Sequence, residues 1–272
     1  KTINTRLGDC KDLSSLFVTL THMSGIQSQM VLVNTRDNGQ NEITLPGVEF
    51  NHCIAKAVLD NKPYYIELTD NYLPFASLPN NLNGAAILEI PSKSVGDQSV
   101  LQLLKTSTRT KDAVKRVLDI RPQGEDLEVS VKAVKYGNLS SHERYTYGSL
   151  AAEKQVQEME KAVAGNYKNG VKLQQVSFKD IDKLNDSLVY SYSFKVKNEI
   201  TEIGALQTFQ INYPDVVASI DNFSADERFA PVDYWRYENT DNYETVVNIT
   251  APSGKKFVEV PKNETLVFKE MK

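Results

Sequence analysis

The chain has 272 residues, 40% hydrophobic and 24% charged, with a formal net charge of −4. That balance supplies a real core for one large or two ordinary domains. No lysine- and arginine-rich run supports nucleic-acid binding, no apolar run approaches membrane-spanning length, and two cysteines do not make a disulfide framework.

The stretch Gly8-Asp9-Cys10-Lys11-Asp12 leads into an apolar pattern, Leu13, Leu16, Phe17, Leu20 and Met23. Spacings of three and four predict a helix, with Asp9 as its N-cap and Gly25 as its stop. Cys10 then sits in the first turn. Unpaired N–H groups and the positive end of the helix dipole favour a thiolate there. A small buried cysteine is the competing reading. Because Lys1 stands barely one turn ahead of this helix, the chain is expected to be a fragment or a processed form.

Gln29–Asn34 reads as a strand, and Asn38-Gly39 as a turn. Ile43–Glu49 is a loop broken by Pro46-Gly47. Phe50–Leu59 and Pro63–Leu68 read as an antiparallel hairpin about Asp60-Asn61-Lys62. Leu73–Leu78 looks like a packed loop, Asn80–Gly84 like a boundary candidate, and Ala85–Ile90 like a strand closing the first unit, residues 1–91. A second region, 92–272, is predicted to be β-rich with one main helix and sandwich-like. Its strands are expected at Val100–Thr108, Ala113–Ile120, Leu127–Tyr136, Val171–Phe178, Ser187–Lys197, Ala205–Tyr213, Thr245–Thr250 and Lys256–Val260. A helix lies within Tyr145–Tyr167, and Pro214–Phe229 is loop-like. The fold class is therefore α+β. Asn-x-Ser/Thr triplets such as Asn138-Leu139-Ser140 are common by chance.

A nucleophilic cysteine needs a base, and the base needs an orienting partner. His22 lies on the same helix as Cys10, about 18 Å of helical rise away, and cannot reach it. His142 sits in the polar stretch Ser140–Arg144, which reads as solvated surface. His52 remains, opening a strand after a loop; a satisfied strand-end histidine is the alternative. Side-chain parity then tests the acid. A two-residue turn at Asp60-Asn61 places Glu67 on the face of His52, whereas a three-residue turn places Asp70 there. Cys53 points to the opposite face and reads as core, so a Cys10–Cys53 disulfide is not expected. No metal-ligand spacing and no Gly-rich phosphate loop occur, so no cofactor and no metal are expected. Tyr64, Tyr65, Tyr72 and Phe75 read either as a groove lining or as packing.

Several motifs occur in order over about residues 6 to 90: Gly-Asp-Cys-Lys-Asp with its apolar helix, Ser-Gly-Ile, Val-Leu-Val-Asn-Thr-Arg, Phe-Asn-His, Tyr-Tyr-Ile-Glu-Leu-Thr-Asp and Leu-Pro-Phe. In this the chain resembles the transglutaminase-like superfamily. It is closest to the bacterial members, common in Bacteroidetes, that carry β-rich flanking domains. The resemblance implies a papain-related α+β core with a Cys-His-Asp triad, in which Cys10 matches the nucleophile and His52 the base. Where the family has an Asp-Pro-Thr-like motif this chain has Glu67-Leu68-Thr69, so Glu67 is the aligned acid and Asp70 its alternative. The implied function is a cysteine-dependent amide hydrolase, a peptidase or amidase acting on a peptide or protein substrate through a thioester, in preference to a cross-linking transglutaminase. The alternative is a catalytically weak or inactive binding or scaffold module. The same resemblance implies export to the periplasm or cell envelope.

Overall fold

The structure, a computed structural model, describes residues 2–38, 50–91, 99, 101–212, 227 and 241–265. It is a mixed helix-and-strand fold with two five-stranded sheets and a two-stranded hairpin. The expected loops at 43–49 and 214–226 fall outside the described residues.

A short helix, α1 (Thr2–Thr5), precedes α2 (Cys10–Met23). Asp9 accepts hydrogen bonds from the N–H groups of Lys11 and Asp12, and the Asp12 side chain accepts in return from the Asp9 N–H. This reciprocal box satisfies the helix's first free donors. Gly25 ends the helix with φ +74°, a conformation costly for a side chain but open to glycine.

The first sheet runs in the order β3 (Lys62–Ile66), β2 (His52–Leu59), β1 (Ser28–Asn34), β4 (Ala86–Glu89), β5 (Leu101–Leu103), all antiparallel. Helix α2 lies along β1 and β2. The Ser14 hydroxyl donates to the Cys53 carbonyl at 3.2 Å, the Thr21 and Ser28 hydroxyls meet at 2.5 Å, and His22 Nε2 donates to the Ser28 carbonyl at 2.8 Å. Ser28 pairs with Ala57, so Cys53, Ala55 and Ala57 share the helix-facing side, where small side chains permit close approach. The opposite side carries Val31, Val33, Ile54, Tyr65 and Ile87, which pack under Leu78, Leu82 and Leu104. Leu82 is therefore core, and the Asn80–Gly84 stretch is no boundary. The expected division at 91/92 also falls inside this unit, because β5 pairs with β4 beyond it.

The second sheet has the order β12 (Asn242–Ile249), β6 (Ala113–Gln123), β7 (Asp126–Tyr136), β9 (Leu188–Val196), β8 (Val171–Lys179), with only β12 and β6 parallel. Leu118, Ile120, Val129, Val131, Tyr192 and Phe194 alternate onto one face, covered by Met159 and Val163 of α4 (Ala152–Ala164) and Tyr147 of α3 (Ser141–Tyr147). The other face presents Asp119, Ser130, Lys132, Ser191 and Ser193. A sheet with one polar face needs only one cover. Among the described residues this is a helix-covered sheet, which corrects the expected sandwich.

Local propensity overreached where no partner strand was at hand. The strand expected to run to Thr108 ends at Leu103, because its only neighbour, β4, is itself short. The strand expected at Ala205–Tyr213 shrinks to β11 (Leu206–Thr208), matched to the equally short β10 (Thr201–Ile203). Lys256–Val260 forms no strand, and Phe257, Val258 and Val260 are exposed there. An extended segment becomes a strand only by pairing.

Helix α3 is the other departure, because its polar sequence is turned inward. Arg144 is fully buried and donates to the carbonyls of Asp180 and Ile181, each at 2.7 Å, and of Asp186 at 2.8 Å. Lys135 Nζ donates to Glu143 at 2.5 Å. Only His142 and Tyr145 remain outward on this stretch. The two units are joined directly: the Phe75 N–H donates to Asn185 Oδ1 at 3.0 Å, and Thr110 donates through its N–H to Ala76 and through its hydroxyl to Phe75.

The face assignment of β6 is testable by denaturant unfolding. Leu118→Ala is expected to cost about 2–5 kcal/mol as a core truncation, and Val117→Ala on the outer face less than about 1 kcal/mol.

Candidate active site

The geometry around His52 begins at the β2–β3 turn. Asp60 and Asn61 have φ of +49° and +59°, and Leu59 pairs with Lys62. This is a two-residue hairpin turn of the primed type. Continuing the register of Ala55 with Ile66 sets Glu67 opposite Ile54, two residues from His52 on the same face.

The side chains meet accordingly. His52 Nε2–H donates to Glu67 Oε2 at 2.6 Å. Glu67 Oε1 accepts from the Thr69 N–H at 2.6 Å and the Thr69 hydroxyl at 2.5 Å. The Glu67 side chain is 3% exposed and that of His52 18%. Burial pushes the Glu67 carboxyl up. The hydrogen bonds from His52 and Thr69, with the His52 charge, outweigh it and hold the group below its ordinary value. A buried carboxylate saturated in this way fixes one ring nitrogen as donor and orients the imidazole. Nδ1 has no hydrogen-bond partner among the described residues.

A second pair fixes the backbone that carries His52. The Thr35 N–H donates to Asn51 Oδ1 at 3.0 Å, and Asn51 Nδ2 donates to Thr35 Oγ1 at 2.8 Å. This clamp ties the start of β2 to the end of β1. Neither Thr69 nor Asn51 had a role in the sequence reading. The available signals were the Glu-Leu-Thr spacing, which lets a hydroxyl and an N–H close on a carboxylate two residues back, and an Asn placed just before a strand.

Asp70 does not meet His52; its Oδ1 accepts the Tyr72 N–H at 2.8 Å. Cys10 occupies the first position of α2, half-buried. Ser14, one turn later, bonds to Cys53, so Cys10 lies toward the start of β2, where His52 stands. Burial pushes the Cys53 thiol up, the Ser14 hydroxyl eases it, and the nearby Cys10 pushes it further. No hydrogen bond joins Cys10 to His52. The structure thus brings together His52 and Glu67, and leaves Cys10 near the helix-facing side of the same strand end. Both cysteines are free, and Cys53 is buried in the core.

A pocket of about 300 Å³ opens beside the imidazole, bordered by Asp37, Glu67, Thr69, Asp70 and Asn81. Asp37 is held ionised below its ordinary range, first by the Thr35 hydroxyl and then by Asn81, against burial. Of the four aromatic candidates, Tyr65 is core and donates to Glu89 at 2.7 Å, while Tyr64 packs on Phe75. Tyr72 borders a pocket with Tyr145. Among the described residues, no group of three or more His, Cys, Asp or Glu is placed to hold a metal ion, and no helix is long and apolar enough to cross a membrane. Comparison with family models, with curated proteins and with solved structures finds no match.

The Glu67 network has a pH signature. The folded chain keeps Glu67 ionised to lower pH than the unfolded chain does, so its contribution is complete above the ordinary value of 4.5 and is lost as pH falls through the lower folded value. The stability gap between wild type and Glu67→Gln is therefore expected to be widest near neutrality and to close in acid. Denaturation curves taken from about pH 3 to pH 7 measure it. Thr69→Val removes one of the two Thr69 bonds and is expected to raise the Glu67 pKa, read by carboxyl NMR titration.

Proposed function

We propose that the chain is a cysteine-dependent amide hydrolase with a transglutaminase-like, papain-related core. The observation that carries the reading is the orientation of His52. One ring nitrogen donates to a buried glutamate on the neighbouring strand, diagonally across the same face, and the other is left for a proton. The His52–Glu67 pair supplies the base and its orienting acid, and Cys10, at the start of a capped helix, supplies the sulfur. In the reaction the Cys10 thiol gives its proton to His52 and the thiolate attacks the amide carbonyl. The Cys10 N–H, free at the helix start, donates to the developing oxyanion. The imidazolium protonates the leaving amine, and water then releases the acid from the thioester. Cys10 stands on the helix side of β2 and His52 on the other, so the reading requires the thiol to reach Nδ1 past the start of that strand.

The absence of a Cys10–His52 hydrogen bond favours a second reading, a binding module that keeps the fold without turnover. Alkylation separates the two. Under the hydrolase reading, iodoacetamide modifies Cys10 at neutral pH much faster than it modifies a free thiol, and His52→Ala removes that advantage. A free-thiol rate in wild type selects the binding module. Release of a labelled amine from a peptide library is expected from wild type and lost in Cys10→Ser; equal background from both overturns the hydrolase.

A further inference from the structure

The pocket beside His52 does not end at the first unit. Thr69 and Asp70 border it, and they also border a second hollow of about 420 Å³ whose far wall is Tyr145, His142 and Ser141 of α3. The two hollows meet at the shared Thr69–Asp70 wall, and a ligand crossing that wall would follow a groove from the imidazole to the second unit. The Tyr72 and Tyr145 rings face each other edge-on at its end, with centroids 5.7 Å apart and planes at 82°.

The far wall is a rigid one. Tyr145 is 68% exposed, yet it follows Arg144, which is buried and bonded to three carbonyls of the 180–186 loop. That loop carries Asn185, which accepts the Phe75 N–H of the first unit. An exposed ring held this firmly loses little freedom when a ligand packs on it.

Among the described residues, the unpaired charge lining the two hollows is carboxylate. Asp37 and Asp70 line them, and Asp70 spends only one recorded acceptor contact, on the Tyr72 N–H. Among the described residues, no lysine or arginine lines either hollow, and the basic side chains there are His52 and His142. A carboxylate beside an exposed tyrosine ring attracts a cation by charge and by ring quadrupole together.

We propose that this groove is the substrate channel of the His52 site and takes an extended peptide segment carrying a lysine or arginine side chain, seated between Asp70 and the Tyr72–Tyr145 pair. The cation is held and not consumed. Tyr145 and Asp70 set specificity, and the second unit thereby completes a site whose reacting groups lie in the first. The proposal rests on reading His52 as the reacting end of the groove.

The test measures binding separately from turnover. Fluorescence anisotropy is recorded for the full chain carrying Cys10→Ser with three labelled peptides on an Ala-Gly background, differing only in two central residues: lysine, alanine or glutamate. The lysine peptide is expected to bind about tenfold tighter than the glutamate peptide at low salt, the gap narrowing as salt is added. Tyr145→Ala, at an exposed position, is expected to weaken the lysine peptide about two- to fivefold, as loss of an exposed cation–π contact does. Asp70→Asn, which keeps the acceptor for the Tyr72 N–H, is expected to weaken lysine binding and leave alanine binding unchanged. Equal affinity for lysine and glutamate peptides overturns the proposal, as does a lysine preference that neither variant alters. Wild-type turnover distinguishes the two readings. A tightly bound lysine peptide that wild type never cleaves overturns the hydrolase and leaves the groove. Cleavage that ignores the charge of the peptide overturns the groove and leaves the hydrolase.

Discussion

Two residues in the left-handed region, Asp60 and Asn61, decide what surrounds His52. Their primed turn closes the β2–β3 hairpin with two residues, and a third would have sent every return-strand side chain to the other face. Glu67 would then have pointed away and Asp70 inward. The register instead delivers a carboxylate onto the imidazole, and Thr69 takes up its second oxygen. A buried carboxylate left with one bond would be driven toward protonation; with three it stays ionised, and the ring is held.

Buried charge is used differently in the second unit. Arg144 and the Lys135–Glu143 pair lie inside, where solvation is lost, and each is compensated by partners held in place by the fold. The compensation turns a polar seven-residue helix into a fixed platform. That platform stands beside the Thr69–Tyr72 loop, the segment that follows Glu67. The small residues of β2 serve the matching purpose on the other side of the first sheet. Cys53, Ala55 and Ala57 let α2 lie close, which sets where its first residue, Cys10, stands.

Much of this was legible in one dimension. The capped helix at Asp9, its stop at Gly25, the hairpin, the long alternating strands β6, β7 and β9 and the main helix α4 all follow from period, caps and turn residues. These elements carry their own signal because the apolar spacing matches one backbone period. Helix α3 did not follow, because Ser-His-Glu-Arg reads as surface until Lys135 and the 180–186 carbonyls are known to stand opposite. Lys256–Val260 has strand composition but no partner among the described residues, and the short β5 and β11 extend only as far as their neighbours do.

The local chemistry is written in the order of residues: a cysteine at a capped helix start, a histidine at a strand start, and two carboxylates within reach of it at opposite parity. Which carboxylate meets the histidine was left to the turn, since parity reverses with one residue. Tertiary packing settles that Glu67 does so, that Cys10 begins beside the helix-facing side of β2, and that a helix from the second unit stands against the Thr69–Tyr72 loop. Those are contacts between residues far apart in the chain, and no spacing along a sequence encodes the distance between two elements that pack from different units.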